Sequence, residues 1–410
     1  MHEEVIRLAR RDAGRVTAVL AGHFGDLDLA DESVQDALVE AVATWPERGV
    51  PDNPAGWLLA VARRKGIDRI RRTTSADRRL RQQAHDVLER VEEAEERGLL
   101  QMDDASVDDE HLRLVLLCAH PALAQDAQVA LTLRLVDGLT TAEIAAALLL
   151  PEGTVTQRIV RAKRKIREAA IPLRVPEQLD ERVDLLLSVL YLIFNEGYLS
   201  RGVAEGLRVP LAEEAIRLTR LAHGLLPHPE LGGLLALMLF QRSRFATRVD
   251  TQGELVRLED QDRAQWDRAM IDEAGVVLDA VLRMRQPGVF QVQAVIASLH
   301  ARARTWEQTD WTRITRAYGQ LVAMSGSPVA QLNRAVAVGM SDGPLAGLAE
   351  LEGLSGLEGY HLLHATRADL LERADRHEEA LSSYVRAAEL ATNPLEQRHL
   401  ERRIARLTRL

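Results

Sequence analysis

The chain is poor in the residues that would define several protein classes. A single cysteine, Cys118, among 410 residues excludes an internal disulfide and any cysteine-based metal site, and it suits a reducing compartment. Only five each of Trp, Tyr and Phe occur; residues 1–72 show no alternating apolar pattern long enough for a strand and the later segments also read as helices, so an all-α fold is expected. No run of about 18 apolar residues exists, and the opening MHEEVIRLARRDAG lacks the apolar core of a signal peptide. A soluble, cytoplasmic protein with no membrane partner is the expectation. Phosphate-cradling glycine loops, nucleophile elbows and metal-spaced His/Glu sets are missing as well, so neither catalysis, a metal nor a cofactor is expected. Acids outnumber bases by 61 to 52, a net charge of -9, which speaks against nucleic-acid binding if charge is spread evenly.

Charge is not spread evenly. From Glu152 to Arg167 six cations (Arg158, Arg161, Lys163, Arg164, Lys165, Arg167) face one acid, a local +5. This segment closes the stretch LTTAEIAAALLLPEGTVTQRIVRAKRKIR at 139–167. Thr140 and Glu143 have the spacing of a capping box, and Ile144, Ala145 and Leu148 give a short first helix one apolar face. After a break at Pro151 and Gly153, Val155, Ile159, Ala162 and Ile166 mark the buried stripe of a second helix. Thr154, Thr156, Gln157, Arg158 and Arg161 lie on its other face. Polar residues at the start of a second helix, with cations behind, describe a helix-turn-helix whose second helix enters the major groove. A surface helix hairpin with a solvated basic face is the alternative.

Upstream, DESVQDALVEAVATW at 31–45 places Val34, Leu38, Ala41, Val42 and Trp45 on one helical face, with Asp31, Glu32, Asp36 and Glu40 expected outside. A loop with three prolines follows, and Asn53 before Pro54 signals a helix start. The next helix, AGWLLAVARRKGIDRIRR, carries Leu59, Ala62, Gly66 and Ile70 inward. Arg63, Arg64, Lys65, Arg69, Arg71 and Arg72 point outward, with Trp57 near its beginning. Cations beside an aromatic suit single-stranded nucleic acid, although Trp57 also reads as plain core.

These segments, in this order and at these distances, resemble bacterial RNA polymerase sigma factors of the extracytoplasmic-function group, over residues 1 to about 170. The resemblance implies a region 2 domain at 1–75, a linker at 76–109 and a region 4 helix-turn-helix at 110–172. It implies core RNA polymerase and promoter DNA as partners. Contact with polymerase falls by position to Asp31, Gln35 and Asp36, minus-ten work to Trp57, Arg63, Arg64 and Arg69, and minus-35 reading to Thr154, Thr156, Gln157, Arg158 and Arg161. Arg64 and Lys65 stand where relatives often have Asn and an apolar residue, and Leu149-Leu150-Pro151 replaces the usual small turn, so promoter preference does not transfer. The linker runs from basic to acidic, either following polymerase channels or serving as a solvated tether.

Residues 173–410 exceed what a minimal sigma factor needs. They read as helices separated by PHPE, QPG, SGSP, SDGP and NP, the pattern of an α-solenoid. In the last repeat Ala368, Leu371, Ala380, Tyr384, Ala387 and Pro394 fall near tetratricopeptide spacings, and FNEGY at 194–198 is similar to sigma factors carrying such a fused domain. Asn195, Glu196, Tyr198, Arg201, Asp260, Asp262, Arg263 and Trp266 form either a ligand or protein interface or the caps and ion pairs of the fold. His361 and His364 lie one turn apart without a third ligand. The expected function is transcription initiation, with the extension modulating activity in cis. An operator-binding regulator or a signalling scaffold with a tetratricopeptide-like interaction domain is the alternative.

Overall fold

The computed structural model describes residues 12–73, 104–148, 150–173, 179–198, 205–248, 250, 256–391 and 394–409. All regular elements among the described residues are helical. The expected linker lies almost wholly outside them. The chain divides into two units, Met1–Gly197 with Glu213–Leu226, and Tyr198–Ala212 with Pro227–Leu410.

The first unit begins with α1 (Ala13–Phe24), α2 (Leu27–Arg48) and α3 (Pro54–Thr73). Helix α2 starts earlier and ends later than the sequence pattern marks. Asp26 caps it, accepting from the backbone of Asp28 and Leu29 at 2.9 and 3.1 Å. At its other end Pro46 is carried inside the last turn, and the chain is released at Gly49. Asn53 caps α3 as its spacing predicts, accepting from Gly56 N–H at 2.9 Å. Leu20, Phe24, Val34, Leu38, Trp45, Leu58 and Ala62 share one core between the three helices. Gly66 sits where α3 crosses α1, and a Cβ there would stand 2.6 Å from the Phe24 ring. That approach explains glycine in mid-helix despite its cost of about 1 kcal/mol.

Four more helices follow: α4 (Asp104–Cys118), α5 (Gln125–Leu135), α6 (Thr141–Leu148) and α7 (Glu152–Glu168). The capping box is formed: Glu143 N–H donates to Thr140 Oγ1 at 3.2 Å, and Thr140 N–H returns to the Glu143 carboxylate at 2.9 Å. Val155, Ile159, Ala162 and Ile166 are buried as the stripe predicts. Cys118 is fully buried, and burial pushes its thiol up, so it acts as a small hydrophobe. Helix α8 (Leu179–Tyr198), up to Gly197, and α9 (Glu205–Leu225) from Glu213 on also belong to this unit.

The second unit runs through α10 (Pro229–Arg242), α11 (Arg268–Arg283), α12 (Val289–Arg302), α13 (Trp311–Ser325), α14 (Pro328–Ser341), α15 (Pro344–Glu352), α16 (His361–Arg373), α17 (His377–Leu390) and α18 (Pro394–Leu407). Four of these start on a proline that the punctuation marks, because proline at the first helical position forfeits no backbone bond. Each helix packs on the next in the chain, so successive pairs share local cores. Val292, Ile314 and Leu321 form one, Leu332, Leu351, Leu363 and Leu370 the next, and Ala368, Leu371, Ala380, Tyr384 and Ala387 the last. Small residues permit close packing: a Cβ on Gly347 would lie 2.8 Å from Gly339 Cα.

Candidate nucleic-acid interface

Helix α7 presents the face expected of a reading helix. Thr156, Gln157, Arg161 and Arg164 are exposed, and Thr154 and Arg158 are half-buried. Local bonds hold the polar groups on that face. Thr156 Oγ1 donates to the Glu152 carbonyl at 2.9 Å, Arg161 donates to Gln157 Oε1 at 3.3 Å, and Arg158 pairs with Asp126 at 2.7 Å. Such surface pairs contribute only about 0.2–1 kcal/mol, so bases and phosphates can replace them at small cost.

The cationic face of α3 is tied to the acidic face of α2. Arg64 and Lys65 meet Glu40 at 3.0 and 2.7 Å, and the Lys65 hydrogen bond leads the effects that draw the Glu40 carboxyl below its usual range. Arg69 meets Asp36 at 3.1 Å and also pairs with Glu32. Arg63 is half-buried. Trp57 is half-buried on the α1–α3 core, edge-on to Trp45 at 5.4 Å between ring centroids. It also lines a surface cavity of about 420 Å³ with Arg48, Val50, Pro51 and Arg64.

Asp31 is not outside, as its position among acids suggested. It is 4% exposed and sits between Lys163 Nζ at 2.7 Å and Arg134 Nε at 3.0 Å. Lys163 is itself buried and reaches Asp28 at 3.2 Å; Arg167 meets Asp28 at 2.8 Å. Gln35 Nε2 donates to the Gly138 carbonyl at 3.5 Å. Two residues expected at the polymerase surface, Asp31 and Gln35, therefore hold α2 against the helix-turn-helix half of the unit, and Lys163 is no open phosphate binder. The signal was present in the spacing. Asp31, Val34, Leu38, Ala41 and Trp45 step by three, four, three and four, so Asp31 belongs to the buried stripe. Asp36 remains exposed.

Sequence reasoning also missed a second buried polar cluster in this unit. Arg217 pairs with both Asp137 and Glu214. Burial and the adjacent Glu214 push the Asp137 carboxyl up against the pull of Arg217. His111 is buried too, and burial, with Arg217 and Arg15 beside it, pushes its pKa down to about 3.

Of the residues flagged farther along, Asn195 is half-buried and Glu196 exposed in the first unit, whereas Asp260 to Trp266 belong to the second. The side chain of Tyr198 and all of Arg201 lie outside the described residues. Arg263 and Trp266 are interior groups. The guanidinium of Arg263 donates to the carbonyls of His300 and Ala303 at 2.8 and 3.0 Å and to Thr309 at 3.2 Å, satisfying a chain corner. The Trp266 indole donates to Thr247 at 2.9 Å. Asp262 caps a short 3-10 turn, and Asp260 pairs with Arg257 at 2.8 Å. His364 bonds to the Glu358 carbonyl at 2.9 Å, while His361 faces Glu396 at 3.2 Å.

Similarity to known proteins runs in the order of these parts. Residues 8–76 match the model of sigma-70 region 2, residues 113–166 that of sigma-70 region 4, and residues 182–282 that of a family of unknown function, DUF6596. An uncharacterised protein of Rhizobium meliloti is 43% identical over 392 residues, 95% of this chain and 92% of the relative. The extracytoplasmic-function sigma-E factors of Escherichia coli K12 and Salmonella typhimurium are each 42% identical over 64 residues, 16% of this chain and 34% of theirs. No solved structure matches. Sigma-70 region 2 and region 4 domains in this order support a role in transcription initiation, with core RNA polymerase and promoter DNA as the partners such domains imply. The chain carries sigma-70 region 2 and region 4 domains in the order of a sigma-70 family sigma factor. No helix among the described residues is long and apolar enough to cross a membrane.

Proposed function

We propose that the protein is a sigma factor of the extracytoplasmic-function kind that reads minus-ten and minus-35 elements and carries a tetratricopeptide-like extension acting in cis. The observation that carries the promoter reading is the exposed polar face of α7 behind a capped α6, with buried groups confined to the opposite stripe. Gln157 and Arg161 read base edges in the major groove, Thr154, Thr156 and Arg158 fix register, and Arg164 binds phosphate. Trp57, with the cavity beside it, takes an unpaired base of the minus-ten element, and Arg63, Arg64 and Arg69 hold the strand. Exposed Asp36 offers polymerase a first contact on α2. Asp31 and Gln35 complete that surface only after the helix-turn-helix half withdraws, because Lys163, Arg134 and Gly138 occupy them in the closed unit.

Serial helix pairing and the buried Ala368, Leu371, Ala380, Tyr384 and Ala387 support a solenoid reading of the extension. Exposed Glu196 in the first unit and, separately, exposed Asp260 and Asp262 in the second are each open to a protein or ligand partner that modulates transcription. The test is transcription in vitro with core polymerase and full-length protein, comparing Glu196→Ala and Asp262→Ala with the parent. A several-fold change in the same direction from both supports modulation in cis, and parental activity from both refutes it. A stop after Arg174 is less informative, since it strips Arg217 from buried Asp137. Failure of the full-length protein to direct specific initiation would favour an operator-binding regulator.

A further inference from the structure

The second unit holds a cavity that none of the family likenesses accounts for. It measures about 460 Å³ and opens between the chain after α10, the strip Val256–Gln261, and helices α14, α16 and α18. Its wall is mostly apolar: Val256, Leu258, Trp306, Val336 and Met340 are half-buried along it, and Leu362 keeps 39% exposure. Half-covered apolar groups from four separate segments, gathered around one space, differ from the scattered apolar residues of an ordinary surface. The volume lies in the range of small-molecule sites, which are typically apolar with a few convergent polar groups.

The polar groups are biased in sign. Five arginines (Arg244, Arg248, Arg257, Arg373, Arg403) line the cavity against three carboxylates (Glu259, Asp369, Glu396). Arg257, Arg373 and Arg403 are held in place through Asp369, at 3.7, 2.7 and 3.2 Å. Arg403 also donates to Tyr384 Oη, and Arg373 meets Glu259 at 2.6 Å. The cations are thus anchored before any ligand arrives, which lowers the ordering cost of binding. His399, on the same wall, reports the local field: burial and then Arg403, Arg402 and Arg257 push its pKa down.

We infer that this cavity binds a small amphiphilic anion, its apolar body against Val336, Met340, Leu362 and Trp306 and its carboxylate or phosphate head among Arg248, Arg373 and Arg403. The assignment rests on the second unit alone and stands whether or not the first unit initiates transcription.

The test uses full-length protein and the fluorescent amphiphilic anion 1-anilinonaphthalene-8-sulfonate, displaced by octanoate, octyl phosphate or octylammonium. One saturable site per chain is expected, from which octanoate and octyl phosphate displace the dye and octylammonium does so about tenfold less well, for want of charge-assisted bonds. Whichever anion displaces at lower concentration assigns the head group. Leu362→Trp, at a position exposed enough to accept a larger ring, fills the space and should abolish displaceable binding with an unchanged circular dichroism spectrum. Arg248→Gln should weaken it by about tenfold while leaving the Asp369 cluster untouched. Equal displacement by octylammonium, binding unaffected by both variants, or displacement by polyglutamate but by neither small anion would overturn the proposal, the last pointing to a peptide groove.

Discussion

Removing the carboxylate of Asp31 is the sharpest perturbation of the first unit. In Asp31→Asn the amide leaves Lys163 and Arg134 facing no full charge at 2.7 and 3.0 Å, in a site where the two side chains closest to it, Asp31 and Lys163, are 5% and 8% exposed. Breaking a buried pair in this way costs about 3–5 kcal/mol when nothing compensates. Lys163 keeps Asp28 at 3.2 Å and Arg134 keeps the Leu139 carbonyl at 3.3 Å, so the lower end, about 3 kcal/mol, is expected. Lys163→Met leaves Asp31 paired with Arg134 and should cost less, about 1–2 kcal/mol. Hydrogen exchange followed by mass spectrometry on full-length protein reads this locally. About a hundredfold faster exchange is expected in α2 and α7 for Asp31→Asn and about tenfold for Lys163→Met, with the double variant falling short of their sum. Because the pair also encloses α2, Lys163→Met should bind core polymerase more tightly than the parent. Unchanged exchange in Asp31→Asn, or strict additivity of the two changes, would show that the contact carries no weight, and the closed arrangement would lose its physical basis.

Gln157→Ala and Arg161→Ala should leave thermal stability within about 0.5 kcal/mol, both being exposed, yet cost about 1–3 kcal/mol on specific minus-35 DNA by anisotropy titration; equal losses on scrambled DNA would refute base reading. Arg164→Ala should weaken specific and scrambled DNA alike and flatten the salt dependence. Trp57→Ala should slow opening of duplex promoters but spare templates with a preformed bubble, as permanganate footprints would report, with about 2–4 kcal/mol of stability lost from the Trp45 contact. For His111 the folded pKa of about 3 lies below its ordinary 6.5, so the unfolded chain takes up the proton first and stability falls as pH drops through that window. Between pH 7.5 and 5.5 the first unit should lose about 1.4 kcal/mol on this account, and His111→Leu should remove that slope in denaturant titrations; an unchanged slope would exclude His111 as its source.

Much of this protein was determined by local rules and was legible in the order of its residues. Asn53-Pro54, Thr140 with Glu143, and the prolines at 229, 328, 344 and 394 open helices because capping and missing N–H groups act within one turn. The stripe Val155, Ile159, Ala162 and Ile166 set which face of α7 turns outward, and with it the exposed Gln157 and Arg161. What the tertiary structure alone decided are the meetings of residues far apart in the chain. Asp31 with Lys163, Asp137 with Arg217, and Asp369 with Arg257 and Arg403 are joined across gaps that no periodicity spans. An acid on a helix reads as solvated until a cation from another helix is packed over it. The same holds for Arg263 and Trp266, polar and aromatic letters that look like a surface in sequence but satisfy a chain corner from within. A buried charge is tolerable only where packing has already delivered its partner, and that delivery is a property of the assembled fold.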